Sequence, residues 1–367
     1  MADNKEFIPQ MRPLFGGEEK AELLSYLDED GFFTEHKKTE AFEQKIAEFT
    51  GARHCIVVNN GTVSLTLAAI ALGVVSGDEI IVPDYTMIAT PNSVRMLGAK
   101  PIFVDVDPDT LILDLAATRA AITPKTRAII LVTANGRAPV CGVDAFEALS
   151  RETGVALIED AAQSLGSFYS DGRHIGRAGA IGSFSFSAPK IISTGQGGAL
   201  ITEDDNLAHR LRRLKDFGRA AGGTDIHDSI GYNFKFTELQ ACVGLAQMRQ
   251  LPQRIKRKKE IWRRYAEGLR NIPGIKLFAH DLSLCTPWFV DCRAERRDTL
   301  AAHLQAQGIG TRSMYPPIHR QKAYDMTGNY PVAEEIGLSG LWLPSMIQLS
   351  DEQIDRICKE IRGFYGF

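Results

Sequence analysis

Short runs of apolar residues, most of them bounded by Gly, Pro or Asp, recur through the first two-thirds of the chain: HCIVV (54–58), EIIVP (79–83), PIFVD (101–105), AIILV (128–132), VALIE (155–159), SFSFS (183–187) and ALIT (199–202). Most of them predict strands buried on both faces. Between them VSLTLAAIALG (63–73), ATPNSVRMLG (89–98), DLAATRAAI (114–122) and VDAFEALSRETG (143–154) carry helical periodicity. Strand and helix alternate at intervals of about 22–28 residues, the spacing that parallel crossovers require. The pattern predicts an α/β domain whose mostly parallel sheet is flanked by helices on both faces.

After about residue 235 the pattern changes. A long helical stretch begins at Thr237 and is expected to be interrupted by Pro252, and shorter α and β signals with several prolines follow. This predicts a large domain over 1–250 and a smaller α+β domain over 251–367. The basic run Arg254-Ile-Lys-Arg-Lys-Lys259 reads as the solvated face of an amphipathic helix with Ile255, Ile261, Trp262 and Tyr265 turned inward. An anion site is the other reading.

Charge and cysteine content narrow the function classes. The 42 basic residues fall short of the 45 acidic ones, so there is no overall basic excess of the kind that general nucleic-acid binding uses. Six cysteines are dispersed with no CxxC pair, which points to neither a zinc site nor a disulfide framework, and no metal is expected. The N-terminus has no apolar signal region and no run of 18 apolar residues occurs, so a cytoplasmic protein without a membrane span is expected.

Three segments at predicted strand ends carry candidate chemistry. Asn59-Asn60-Gly61-Thr62 opens the helix after the first strand. It could cradle a phosphate on free backbone amides, or Thr62 could simply cap the helix. Asp160 ends a buried strand, where a carboxylate needs a cationic partner such as a protonated ring nitrogen, unless it caps a following helix. Lys190, after SFSFSAP and before the turn TGQGG, could be desolvated enough to supply a neutral amine for Schiff-base chemistry, or could be an ordinary surface lysine. Together a phosphate cradle, a ring-nitrogen carboxylate and a reactive amine, in that order, are what holding pyridoxal 5′-phosphate (PLP) requires.

The motifs NGT (60–62), EDAAQSLGS (159–167), SFSFSAPK (183–190), TGQGGAL (194–200), GYNFKFTELQA (231–241) and YPPIH (315–319) resemble those of the DegT/StrS family of PLP-dependent sugar aminotransferases. Within the family the likeness is to perosamine-synthase-type enzymes, which aminate C4 of a nucleotide-linked 4-keto-6-deoxyhexose. The resemblance implies PLP fold type I with a seven-stranded sheet. It makes Lys190 the Schiff-base lysine and Asp160 the partner of the pyridine nitrogen. Gln163 is placed beside the phenolic oxygen, and Gly61, Thr62 and Ser185 at the phosphate. Asn233 would reach the phosphate of the neighbouring subunit, which implies a homodimer with shared active sites. L-Glutamate is the implied donor. His319 and Asn135 would border the sugar, with the Arg/Lys-rich 254–264 segment and Arg312 as places to look for a diphosphate contact. Two segments depart from the pattern: Met87 stands where an aromatic ring usually stacks on the cofactor, and Thr133-Ala134-Asn135-Gly136 replaces His-Leu-Tyr-Gly. They leave room for another ketone: a 3-keto sugar nucleotide, a cyclitol or a small phosphorylated ketone. A non-catalytic regulatory protein of the same fold is the alternative of a different class. Some relatives carry His in place of the lysine and dehydrate at C3; Lys190 favours transamination.

Overall fold

In the computed structural model, which describes residues 6–29, 31–221 and 224–367, the seven apolar runs become β1 (His54–Val58), β2 (Glu79–Pro83), β3 (Lys100–Val104), β4 (Thr126–Val132), β5 (Ala156–Asp160), β6 (Ile181–Ser185) and β7 (Gly198–Thr202). They form one sheet in the order β1-β7-β6-β5-β4-β2-β3, in which β7 alone runs antiparallel to its neighbours. Alternate residues of a strand enter different cores, as the pleat demands. In β4, Ile129 and Leu131 join one apolar cluster while Ala128, Ile130 and Val132 join the other. Both faces are therefore buried, which is why these strands read as continuous apolar runs.

The helices of this region are α1 (Gly17–Asp28), α2 (Lys37–Thr50), α3 (Gly61–Ala71), α4 (Ala89–Arg95), α5 (Leu115–Ala120), α6 (Val143–Thr153) and α7 (Asp205–Lys215). Residues of α3, α4 and α7 pack on one face of the sheet, and those of α2, α5 and α6 on the other.

Helix α8 (Glu238–Gly268) then runs for 31 residues. Thr237 and Gln240 start it with a reciprocal capping box. The expected interruption at Pro252 does not occur. Pro252 lies on the exposed side, while Ala241 and Leu251 anchor the first half in one core and Ile261 and Tyr265 anchor the second half in another. Burial on both sides of the proline outweighs the one backbone hydrogen bond that it removes. A division at 250/251 falls inside this helix.

A second, antiparallel sheet follows, built from β8 (Ile275–Leu277), β9 (Val290–Ala294), β10 (Arg312–Ser313) and β11 (Gly340–Leu343) in the order β10-β11-β9-β8. It packs with α9 (Arg297–Ala306), α10 (Pro331–Ser339) and α11 (Asp351–Tyr365). Its core also takes in Ile8 from the other end of the chain.

The basic run on α8 is only partly a solvated face. Lys256 is exposed, but Arg254 and Lys258 are buried. The Arg254 guanidinium donates to the carbonyls of Ile191 and Leu14 and to the side chains of Gln247 and Gln250. Arg257 and Arg264 are paired with Asp351, and Arg264 also with Asp355, so these cations are engaged within the chain. Charge patterning could not separate these cases, because a long cationic side chain buries its stem wherever carbonyls wait at its tip. Among the described residues no helix is long and apolar enough to cross a membrane.

Candidate active site

Strands β1, β2, β4, β5 and β6 all end at one edge of the large sheet. A cavity of about 310 Å³ opens there, where open α/β sheets bind ligands. Gly61 and Thr62 from the turn after β1, Met87 after β2, Asp160 at the end of β5, Gln163, Ser185 at the end of β6, and Lys190 all line it. Seven residues predicted from the sequence thus meet in one place.

At one end lies the N-terminus of α3. The capping residue is Asn60, whose side-chain oxygen accepts from the Val63 amide at 2.9 Å. Thr62 is therefore not the cap, and Gly61 and Thr62 occupy the first two helical positions on the cavity wall. Ser185 and Ser187 face them, with their hydroxyls 3.3 Å apart. A Cβ built on Gly61 would lie 2.8 Å from Ser185 Cβ and 3.0 Å from its Oγ. The missing side chain leaves room for helix amides and hydroxyls to surround an anion.

The carboxylate of Asp160 forms another wall. One oxygen accepts from Thr90 Oγ1 at 2.9 Å and the other from the Ala162 amide at 3.2 Å. Asp160 caps no helix, since residues 161–180 form turns before β6. Burial raises its pKa above the usual carboxylate range, opposed by those two hydrogen bonds and by the charge of Lys190. A cationic ring nitrogen would supply what this buried carboxylate lacks.

Lys190 follows β6 through Pro189, with its backbone amide bound to the Ser187 carbonyl. Desolvation lowers its amine to about 8, against the opposing pull of Asp160. About a tenth of the amine is therefore neutral at pH 7, far more than for an exposed lysine, and a nucleophile or general base needs that form. The amine, carboxylate and anion cradle fit PLP in donor type and in the space left by Gly61. Gly61→Ala should push Ser185 out of place at a cost of about 1–3 kcal/mol. The apparent Kd for PLP, read by absorbance titration, should rise by about tenfold or more.

Asn135, His319, Arg312 and Asn233 do not line this cavity. Asn135 is buried: its amide donates to Gln163 Oε1 at 2.7 Å, and its side chain bonds the Phe289 amide at 2.7 Å and carbonyl at 2.8 Å. It orients Gln163 and does not border the cavity. His319 is 1% exposed and is held between Asp84, at 2.6 Å, and Glu334, at 3.2 Å. Its ring joins the end of β2 to α10 and is not presented to the cleft. Arg312 is exposed on β10 with its guanidinium 5.5 Å from the centre of the Trp342 ring. Asn233 is exposed and does not line the cavity of its own chain. Met87 is half exposed on the rim, its sulfur accepting from the Ala89 amide.

Sequence reasoning missed Thr90, Ser187 and Trp288. Thr90 carries a weak local signal, a hydroxyl in the first turn of α4, whereas Trp288 comes about a hundred residues after Lys190 with nothing nearby to mark it.

Known proteins resemble this chain over nearly its whole length. The GDP-perosamine synthase of Escherichia coli O157:H7 is 36% identical over 365 residues, covering 98% of this chain and 99% of that one. DesV of S. venezuelae, solved in complex with a ketimine intermediate, superposes with a TM-score of 0.90 at 33% identity, covering 97% of this chain and 99% of that one. DesI, solved in the presence of its TDP-sugar product, gives 0.90 at 30% identity, covering 99% and 94%. The sequence profile of the DegT/DnrJ/EryC1/StrS aminotransferases matches residues 15–362, and the chain belongs to that family.

Proposed function

We propose that this PLP-dependent aminotransferase moves an amino group from L-glutamate to C4 of a nucleotide-linked 4-keto-6-deoxyhexose. The observation that carries the reading is the convergence of Lys190, Asp160 and the Gly61–Ser185 cradle on one cavity. The likeness to a GDP-perosamine synthase and to an enzyme solved with a TDP-sugar product supports the substrate class.

PLP, when bound, supplies a conjugated ring that can take up the electron pair left as the donor loses its α-proton. Thr90 and the Ala162 amide fix the direction of the Asp160 carboxylate, which would keep a proton on the ring nitrogen. Lys190 would accept the donor's α-proton on its neutral amine and later give it back. Gln163, oriented by the Asn135 amide, would bind the phenolic oxygen. The α3 N-terminus, Thr62 and Ser185 would hold the phosphate. The keto sugar passes through the same proton transfers in reverse, so the two half-reactions share one site and the kinetics are ping-pong.

We assign Asn233 to the phosphate site of a partner subunit in a homodimer. Supporting this, Asn233 is exposed and stands among exposed apolar side chains, namely Phe217, Ile226, Ile230 and Tyr232. For the substrate diphosphate we assign Arg312, an exposed cation, in preference to the internally paired Arg257 and Arg264. An enzyme of soluble nucleotide sugars is placed in the cytoplasm.

Met87 on the rim keeps a second ketone in view, whereas the altered 133–136 segment does not, because Asn135 is buried against Phe289. The test is to offer the amino-loaded protein a panel of ketones and to follow amination by mass spectrometry. Amination of a nucleotide-linked 4-keto sugar is expected. Refusal of all such sugars, with turnover of a cyclitol or a 3-keto sugar, would contradict the assignment.

A further inference from the structure

The amine of Lys190 does not hang free in the cavity. Its Nζ lies 4.3 Å from the centre of the Trp288 ring, over the face. The indole is held on several sides. Its Nε1 donates to the Pro189 carbonyl at 2.7 Å, one residue before Lys190, and its ring stacks on Phe289 with centroids 3.9 Å apart. Trp342 packs edge-on against it at 5.8 Å, and its backbone carbonyl accepts from the buried Lys258 ammonium at 2.6 Å. Trp288 is 4% exposed. The segment leading into β9 thus delivers an immobilised aromatic face to the amine that follows β6.

We propose that Trp288 is the resting place of the protonated Lys190 side chain: its ring face stabilises the ammonium that forms when the lysine takes a proton and is not covalently engaged. This rests on the reading of Lys190 as the reactive amine. An ammonium over an indole face is attracted by the ring quadrupole, and more strongly where water is excluded. The balance is simple. A C–H bond of the donor breaks, its electron pair stays with the donor carbon and the attached conjugated system, and the proton forms an N–H bond on Lys190. Without a local partner, the resulting cation would face the desolvation that already disfavours charge here. Asp160 is the anionic group that acts on Lys190, while Lys258 and Arg254 of α8 line the small cavity behind it. Lys258 acts through the Trp288 backbone and is a positioning residue.

The prediction concerns the apo protein and needs no turnover. Competitive acylation at a series of pH values, with the Lys190 peptide quantified by mass spectrometry, reports the pKa of this amine in wild type, Trp288→Phe and Trp288→Leu. A phenyl face binds cations less well than an indole, and an isobutyl group offers no face, so the pKa should fall in the order wild type, Phe, Leu. The full span should be about one unit, from the usual strength of such contacts. If the Leu variant does not fold, wild type against Phe remains decisive: an unchanged or higher pKa in Phe overturns the proposal. So does a rise in both variants, which would mean that the indole serves only to exclude water. A separate reduction of PLP-loaded wild type, finding no label on Lys190, would instead refute the reading on which the proposal rests.

Discussion

Lys190→Ala is expected to lower amine transfer by on the order of 10⁴-fold or more, because one change removes both the covalent anchor and the group that moves the proton. The readout is single-turnover formation of aminated sugar from saturating glutamate. A second buried lysine makes the experiment sharper. Lys258 is also desolvated, its amine lowered to about 7, and on acidity alone it would be the better nucleophile at neutral pH. Its Nζ, however, donates to the carbonyls of Trp288 and Ser345, both at 2.6 Å, and it does not line the main cavity. It should not substitute. The pH dependence has a definite sign. Attachment of PLP needs the neutral amine, so its rate in the apo protein should rise with pH up to about 8, where Lys190 titrates, and then level off.

Asp160→Ala should cost on the order of 10²–10⁴ in kcat/KM. The carboxylate that keeps the ring nitrogen protonated disappears, and Thr90 Oγ1 loses its acceptor. Asp160→Asn tests the charge separately. It keeps the shape and can still accept from Thr90, so a loss nearly as large as for Ala would mark the negative charge as the working feature. Because burial raises the Asp160 pKa, lowering the pH neutralises this carboxylate sooner than an exposed one. PLP affinity in wild type should therefore weaken on the acid side, and that weakening should be absent in the Asn variant.

The chemistry of the large domain was legible in the sequence because it depends on local signals at strand ends. The apolar runs located β1, β5 and β6, and the residues just beyond them, Gly61-Thr62, Asp160 and Lys190, converge because parallel strands bring their C-terminal ends together. What stayed hidden depends on long-range contacts. His319 and Asn135 lie in recognisable segments, yet a motif does not reveal which side chain turns toward Asp84 or Phe289 and away from a ligand. The burial of Arg254 and Lys258 rests on carbonyls supplied by Leu14, Ile191, Trp288 and Ser345, scattered through the chain. The sequence predicts a break at Pro252 because the cost of a proline is local, while the burial that offsets it comes from two separate cores. Trp288 meets Lys190 only because the segment leading into β9 packs against it, and no periodicity encodes that meeting.

Borohydride reduction of the PLP-loaded protein, followed by proteolysis and peptide mapping, tests most directly whether this cavity is the catalytic centre. A phosphopyridoxyl group on the peptide containing Lys190, at about one per chain, is the predicted result. Its appearance on Lys258 or another lysine, or its absence from a protein that still aminates a keto sugar, would contradict the assignment.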